Sequence, residues 1–110
     1  MASRGPNIAP LSIRNTVRAG THTLALTGEL DFDSANKLEE AVREVCASGT
    51  GLVIDLRKVT FMDSTGLRVL IVAGTLCEEK GHELRIIPGE DIQRVLEISG
   101  LDRVLPFTSP

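Results

Sequence analysis

The chain has 110 residues, 42% of them hydrophobic and 25% charged, with a formal net charge of −3 and a pI near 5.3. That size and apolar content suit one domain with one core and leave no room for a second. The acidic balance, with Arg57-Lys58 the only adjacent basic pair, excludes a protein built to bind nucleic acid, and 3% aromatic residues without Trp or Tyr offer no stacking platform for bases or sugars.

Residues 1–7, with Ser3, Gly5, Pro6 and Asn7, have the composition of a flexible lead-in, and the domain is expected to occupy residues 8–110 with its core beginning near Ile8. The N-terminus lacks the charged head and unbroken apolar run of a signal peptide, and no stretch approaches the roughly 20 apolar residues that span a bilayer. The chain is expected to stay in the cytoplasm, without membrane insertion, and to be monomeric when free.

Alternation at Leu11, Ile13 and Val17, a turn at Ala19-Gly20-Thr21, and Leu24 and Leu26 beyond it predict an antiparallel hairpin whose second strand ends at Gly28. After Asp31, Asp33 and Ser34, the residues Ala35, Leu38, Ala41, Val42, Val45 and Cys46 step by three and four, which predicts a helix with one buried face, stopped by Ser48-Gly49-Thr50-Gly51. Leu52 to Leu56 reads as a buried strand, followed by a short connection through Val59, Phe61 and Met62. The apolar run from Leu67 to Cys77 is too long for a surface strand and predicts a helix sunk in the core, ending around Glu79-Lys80-Gly81. Glu83 to Ile87 forms another strand, closed by Pro88-Gly89. Ile92, Val95, Leu96 and Ile98 make a third amphipathic helix that Gly100 breaks, and Leu101, Val104, Leu105 and Phe107 offer a short terminal helix or edge strand.

This order predicts an α/β fold: a small mixed sheet, made of an initial hairpin and parallel crossovers, covered by helices mainly on one face. Loops at the carboxyl ends of the strands then gather, so Gly28-Glu29-Leu30-Asp31 and Phe61-Met62-Asp63-Ser64 are expected to share one rim.

Asp63-Ser64-Thr65-Gly66-Leu67 stands out on that rim, with two adjacent hydroxyls and a glycine where the chain enters the apolar helix. Either Asp63 or Ser64 can cap the first backbone N–H groups of that helix. A nucleophilic serine would need a base, but His22 lies in the hairpin and His82 in a distant turn, and the Gly-x-Ser-x-Gly elbow is absent. The histidines are also read as isolated from each other and from Cys46 and Cys77, which argues against a metal site and leaves the cysteines as reduced core residues. Glu39-Glu40, Glu78-Glu79 and Glu90-Asp91 are read as solvated helix charges, and no Gly-rich nucleotide loop is present. What remains is an accessible serine at a helix N-terminus. A phosphate on it would add about −1.5 to −2 charges and sit against free N–H groups and the positive end of the helix dipole, opposed by Asp63 and partly offset by Arg68 one turn on.

Thr27-Gly28-Glu29-Leu30-Asp31, Val53-Ile54-Asp55-Leu56, Phe61-Met62-Asp63-Ser64-Thr65-Gly66-Leu67 and Ile98-Ser99-Gly100-Leu101, in that order, closely resemble the bacterial anti-sigma factor antagonists, the free-standing STAS domains. The resemblance runs from about Ile8 to Phe107. It implies a non-enzymatic regulator in which Ser64 is the phosphoacceptor and Thr65 a minor or backup acceptor. It implies two partners: an anti-sigma factor that is also a GHKL-type serine kinase, bound by the unphosphorylated form so that a sigma factor is freed, and a PPM-type phosphatase that removes the phosphate. ATP and magnesium would belong to the kinase, and manganese or magnesium to the phosphatase, so the chain needs no cofactor of its own. The rim at Asp31, Asp63, Ser64, Thr65 and Gly66, with the exposed helix face carrying Arg68, would contact the kinase. Gly66 serves either close approach of a partner or local packing, and Asp31 either partner contact or a cap on the first helix. Within the same fold, docking on the ATPase of an ABC transporter and sensing of a small molecule or nucleotide are the alternative uses of such a rim.

Overall fold

The computed structural model describes residues 10–100 together with Arg103 and Leu105. The lead-in, the expected start of the core at Ile8, and Leu101, Val104 and Phe107 of the expected terminal element lie outside the described residues.

Strands β1 (Ser12–Arg18) and β2 (Thr21–Leu30) form the hairpin, pairing Arg18 with Thr21 and Ser12 with Thr27. Ala19 and Gly20 both hold positive φ, at 54° and 85°, the geometry whose twist matches that of the strands it joins. Helix α1 (Ala35–Ser48), β3 (Gly51–Met62), α2 (Ser64–Lys80), β4 (Glu83–Ile87) and α3 (Glu90–Ser99) follow. The sheet order is β1-β2-β3-β4, with β3 parallel to both β2 and β4.

Alternation along the strands divides the sheet into a covered and an open face. Leu24 and Leu26 of β2, Leu52, Ile54 and Leu56 of β3 and Ile86 of β4 join one core with residues of all three helices, among them Leu38, Leu70 and Leu96. Each such leucine removed from water contributes about 1.5–3 kcal/mol. Val53 points the other way and stands outside that core, while Thr27 and Arg85 are exposed. The helices therefore cover one face, as expected.

Two strands differ from the sequence reading, for one reason. β2 runs past Gly28 to Leu30, and the residues expected to connect Leu56 to the second helix are strand as far as Met62. The register slips between Ala25 and Thr27 and again between Gly28 and Glu29, and at each slip β3 advances one residue more than β2. These bulges re-phase the strand, so the inward positions after Leu56 are Val59 and Met62, both buried. A spacing of three hides the strand from any test for alternation. Gly28, at φ 110°, stands at the second slip in a backbone conformation that favours glycine.

The third helix also departs in detail. Ile92 and Leu96 are buried, but Ile98 is 80% exposed and does not belong to the apolar face. At its start Gly89 sits so close to β3 that an added Cβ would lie 2.9 Å from both the Cα and the carbonyl oxygen of Arg57. Cys46 on α1 and Cys77 on α2 are buried free thiols with sulfurs 3.9 Å apart. Burial, reinforced by Cys46, pushes the Cys77 thiol up to about 12, which keeps it protonated and unreactive. His82 is not isolated from them: its Nε2 lies 3.1 Å from the Cys46 carbonyl oxygen, and it lines a concavity of about 570 Å³ with Cys77. Among the described residues no group of three or more His, Cys, Asp or Glu side chains is arranged to hold a metal, and no helix is long and apolar enough to cross a membrane.

Candidate functional site: the rim at the start of the second helix

The extended β3 carries the second loop to the same level as the first. Glu29 pairs with Phe61 and Leu30 with Met62, and the Asp63 N–H donates to the Leu30 carbonyl at 3.3 Å. The two loops expected to share a rim do so.

Asp63 is the cap of α2. Its Oδ1 accepts from the backbone N–H of Thr65 at 2.9 Å and of Gly66 at 3.3 Å, and also from the Thr65 hydroxyl. Its Oδ2 accepts from the Phe32 N–H at 3.2 Å, tying the helix start to the neighbouring loop. Burial pushes the Asp63 carboxyl up, but the Thr65 hydroxyl and the N–H groups of Gly66, Thr65 and Phe32 together outweigh it and hold the group below the ordinary carboxylate range. Capping therefore falls to Asp63, not Ser64. It also consumes the N–H groups of Thr65 and Gly66, so these are not free to receive a phosphate, contrary to the expectation from sequence.

Ser64 is the first residue of α2 and is exposed, and among the described residues its hydroxyl makes no hydrogen bond. Arg68, one turn on, is exposed and places Nη2 3.6 Å from Glu39 Oε1 on α1. Glu39 Oε2 is meanwhile held by Arg43, at 2.9 Å from Nη2 and 3.2 Å from Nε. Phe32, Asp33, Asn36, Thr65 and Arg68 line a depression of about 390 Å³ between the first loop and α2.

Asp31 and Gly66 face inward. Asp31 is buried, its Oδ1 accepting from the N–H groups of Asp33 and Ser34 and lying 3.0 Å from Ser34 Oγ, while its carbonyl takes the Ala35 N–H at 2.8 Å. It folds the turn that launches α1 rather than presenting a charge. A Cβ on Gly66 would lie 2.8 Å from the side chains of both Leu30 and Met62. Of the two readings of Gly66, the structure supplies the contact for local packing.

Sequence reasoning missed the exposed aromatics of this surface. Phe32 is 76% exposed and Phe61 44%, in a chain with only three Phe. Their positions beside Asp31 and two residues before Asp63 were the available signal, since an apolar side chain next to a rim motif is either core or contact. Ile71, 45% exposed, extends the apolar surface along α2.

The STAS domain family model matches residues 12–109, and the chain belongs to that family. It is 38% identical over 107 residues to the anti-sigma-F factor antagonist RsfB of Mycobacterium tuberculosis H37Rv, covering 92% of this chain and 85% of RsfB. It is 30% identical to an anti-sigma F factor antagonist of Paenibacillus polymyxa, covering 88% of this chain and 86% of that one. Its fold matches the crystal structure of an anti-sigma factor antagonist from Mycobacterium paratuberculosis with a TM-score of 0.79 at 28% identity, covering 88% of this chain and 84% of that one. The family resemblance and the fold class read from the sequence both hold.

Proposed function

We propose that this chain is an anti-sigma factor antagonist that works by switching partners under the control of a phosphate on Ser64. Unphosphorylated, it binds an anti-sigma factor that is a GHKL-type serine kinase, and a sigma factor is released. The kinase, using its own ATP and magnesium, ends the association: a bond forms between Ser64 Oγ and the γ-phosphorus, ADP leaves, and the hydroxyl proton passes to the kinase. A PPM-type phosphatase restores the first form. In this reading the chain is a substrate and a binding module of the cytoplasm, not an enzyme, and has no cofactor.

The observation that carries the reading is the unused, exposed Ser64 hydroxyl on a helix start fixed by Asp63. Thr65 is the lesser acceptor, because its hydroxyl is already committed to Asp63. Phe32, Phe61 and Ile71 supply apolar anchors around the acceptor, of the kind that dominate binding energy at protein interfaces. New negative charge in the middle of such a contact weakens it through repulsion and desolvation.

Incubation with a cognate GHKL kinase and ATP is expected to add one phosphate at Ser64, read by mass spectrometry. Ser64→Ala is expected to abolish this while still binding the kinase, and the phosphorylated form to bind about 1–3 kcal/mol more weakly by calorimetry. Unchanged phosphorylation of Ser64→Ala would overturn the assignment.

A further inference from the structure

Asp63 occupies the N–H groups of Thr65 and Gly66 with its carboxylate and that of Leu67 with its carbonyl, so a phosphate on Ser64 is left only the N–H of its own residue among the donors that a helix N-terminus ordinarily offers. Its counter-charge must then come from a side chain. Arg68 lies four residues further along α2, on the same helix face, and long helical side chains lean back toward the N-terminus and so toward residue 64.

Arg68 is already engaged, but weakly. Its guanidinium is 3.6 Å from Glu39 Oε1, beyond hydrogen-bond length, and 57% exposed to solvent. Glu39 does not depend on it, since Arg43 holds the other carboxylate oxygen at 2.9 Å. A phosphate near pH 7 carries close to two charges and three acceptor oxygens, against one charge on a carboxylate that is already shared.

We propose that Arg68 is a partner-exchanging residue, paired with Glu39 across the α1–α2 seam in the unmodified protein and transferred to the phosphate when Ser64 is modified. This rests on the phosphoacceptor role of Ser64. Its consequence is that modification alters two places at once: the helix start gains a neutralised phosphate, and Glu39 on α1 is left with Arg43 alone. The surface a partner reads thus changes beyond the footprint of the phosphate itself.

The test uses full-length protein carrying phosphoserine at position 64 installed during synthesis, so no kinase is needed and its outcome is independent of whether the proposed kinase reaction occurs. The second ionisation of the phosphate is followed by phosphorus NMR. The other charged groups of the rim, Glu29, Asp31, Asp33 and Asp63, with Arg43 on α1, are the same in every variant. Arg68→Gln is expected to raise the phosphate's second pKa by about 0.3 unit or more, and Glu39→Gln to lower it by freeing Arg68. In the double variant the Glu39→Gln effect is expected to shrink toward zero, because Glu39 acts through Arg68. A titration of Arg68→Gln within about 0.1 unit of the parent overturns the proposal, as does a Glu39→Gln effect that persists undiminished without Arg68.

Discussion

Two serines stand at helix starts on the same rim, and they are put to opposite uses. Ser34, before α1, accepts from the Asp31 N–H at 2.9 Å and lies 2.9 Å from the Glu29 carbonyl, 3.0 Å from Asp31 Oδ1 and 3.5 Å from the Asp31 carbonyl, so its one proton faces three acceptors. Ser64, the first residue of α2, has its hydroxyl in solvent because Asp63 does all the capping. Each loop also has an aspartate: Asp31 is turned inward onto its own turn, and Asp63 reaches forward into its helix and sideways to Phe32. A hydroxyl becomes available for chemistry when a neighbouring carboxylate satisfies the local donors in its place. In the first loop the Asp31 carboxylate takes local N–H groups too, but the Ser34 hydroxyl is itself bonded to Asp31 and Glu29, and that serine is structural.

The largest effect on stability is expected at Asp31. Asp31→Ala leaves the Asp33 N–H without its acceptor and the Ser34 N–H with only the Asp31 carbonyl, in a part-buried turn, a loss of about 1.5–2 kcal/mol by urea denaturation. A loss below about 0.5 kcal/mol would mean that the first loop is no more structural than the second. A smaller effect, about 1 kcal/mol, is expected for Asp63→Asn, which weakens the cap on α2. It has a signature in pH. The folded-state carboxyl of Asp63 is depressed, so the unfolded chain binds its proton first on acidification; the stability it confers is complete above the unfolded value near 4 and is lost as pH falls through the lower folded value. Asp63→Asn should remove this part of the acid sensitivity while leaving that of Asp55, which is depressed by its hydrogen bond to Arg57. An unchanged acid limb would show that the Asp63 bonds do not favour its ionised form. The smallest effect is expected at Ser64, where Ser64→Ala should change stability by less than about 0.5 kcal/mol. A clear loss there would make the Ser64 hydroxyl structural and erase the contrast with Ser34.

Much of this was legible in the sequence. Periodicities of two and of three to four residues located the hairpin, α1 and α3, unbroken apolar runs located the start of β3 and α2, and the positions of the loops in a parallel sheet brought residues 28–31 and 61–64 together. The second half of β3 was not legible, because two bulges change the inward spacing from two to three and Leu56, Val59 and Met62 then imitate neither strand nor loop. The roles within the rim were only half legible. Asp31, Asp63, Ser34 and Ser64 are all good cap residues, and which of them is spent on the backbone depends on a hydrogen bond across the loops, from Phe32 to Asp63, that no local pattern encodes. Gly66 was ambiguous for a similar reason: the side chains it touches, Leu30 and Met62, belong to the ends of two adjacent strands. His82 meets the Cys46 carbonyl across 36 residues, through the packing of α1 against the turn after α2.

The tether between Phe32 and Asp63 gives the rim one more property. Ser64 does not ride on a loose segment that could be threaded into an enzyme's cleft; its orientation is set by a carboxylate braced against a loop 31 residues away in sequence. Under the proposed role, a kinase would have to recognise an assembled surface rather than a string of residues. Only folded molecules would then be eligible for the mark, so the signal would count native protein and ignore nascent or damaged chains.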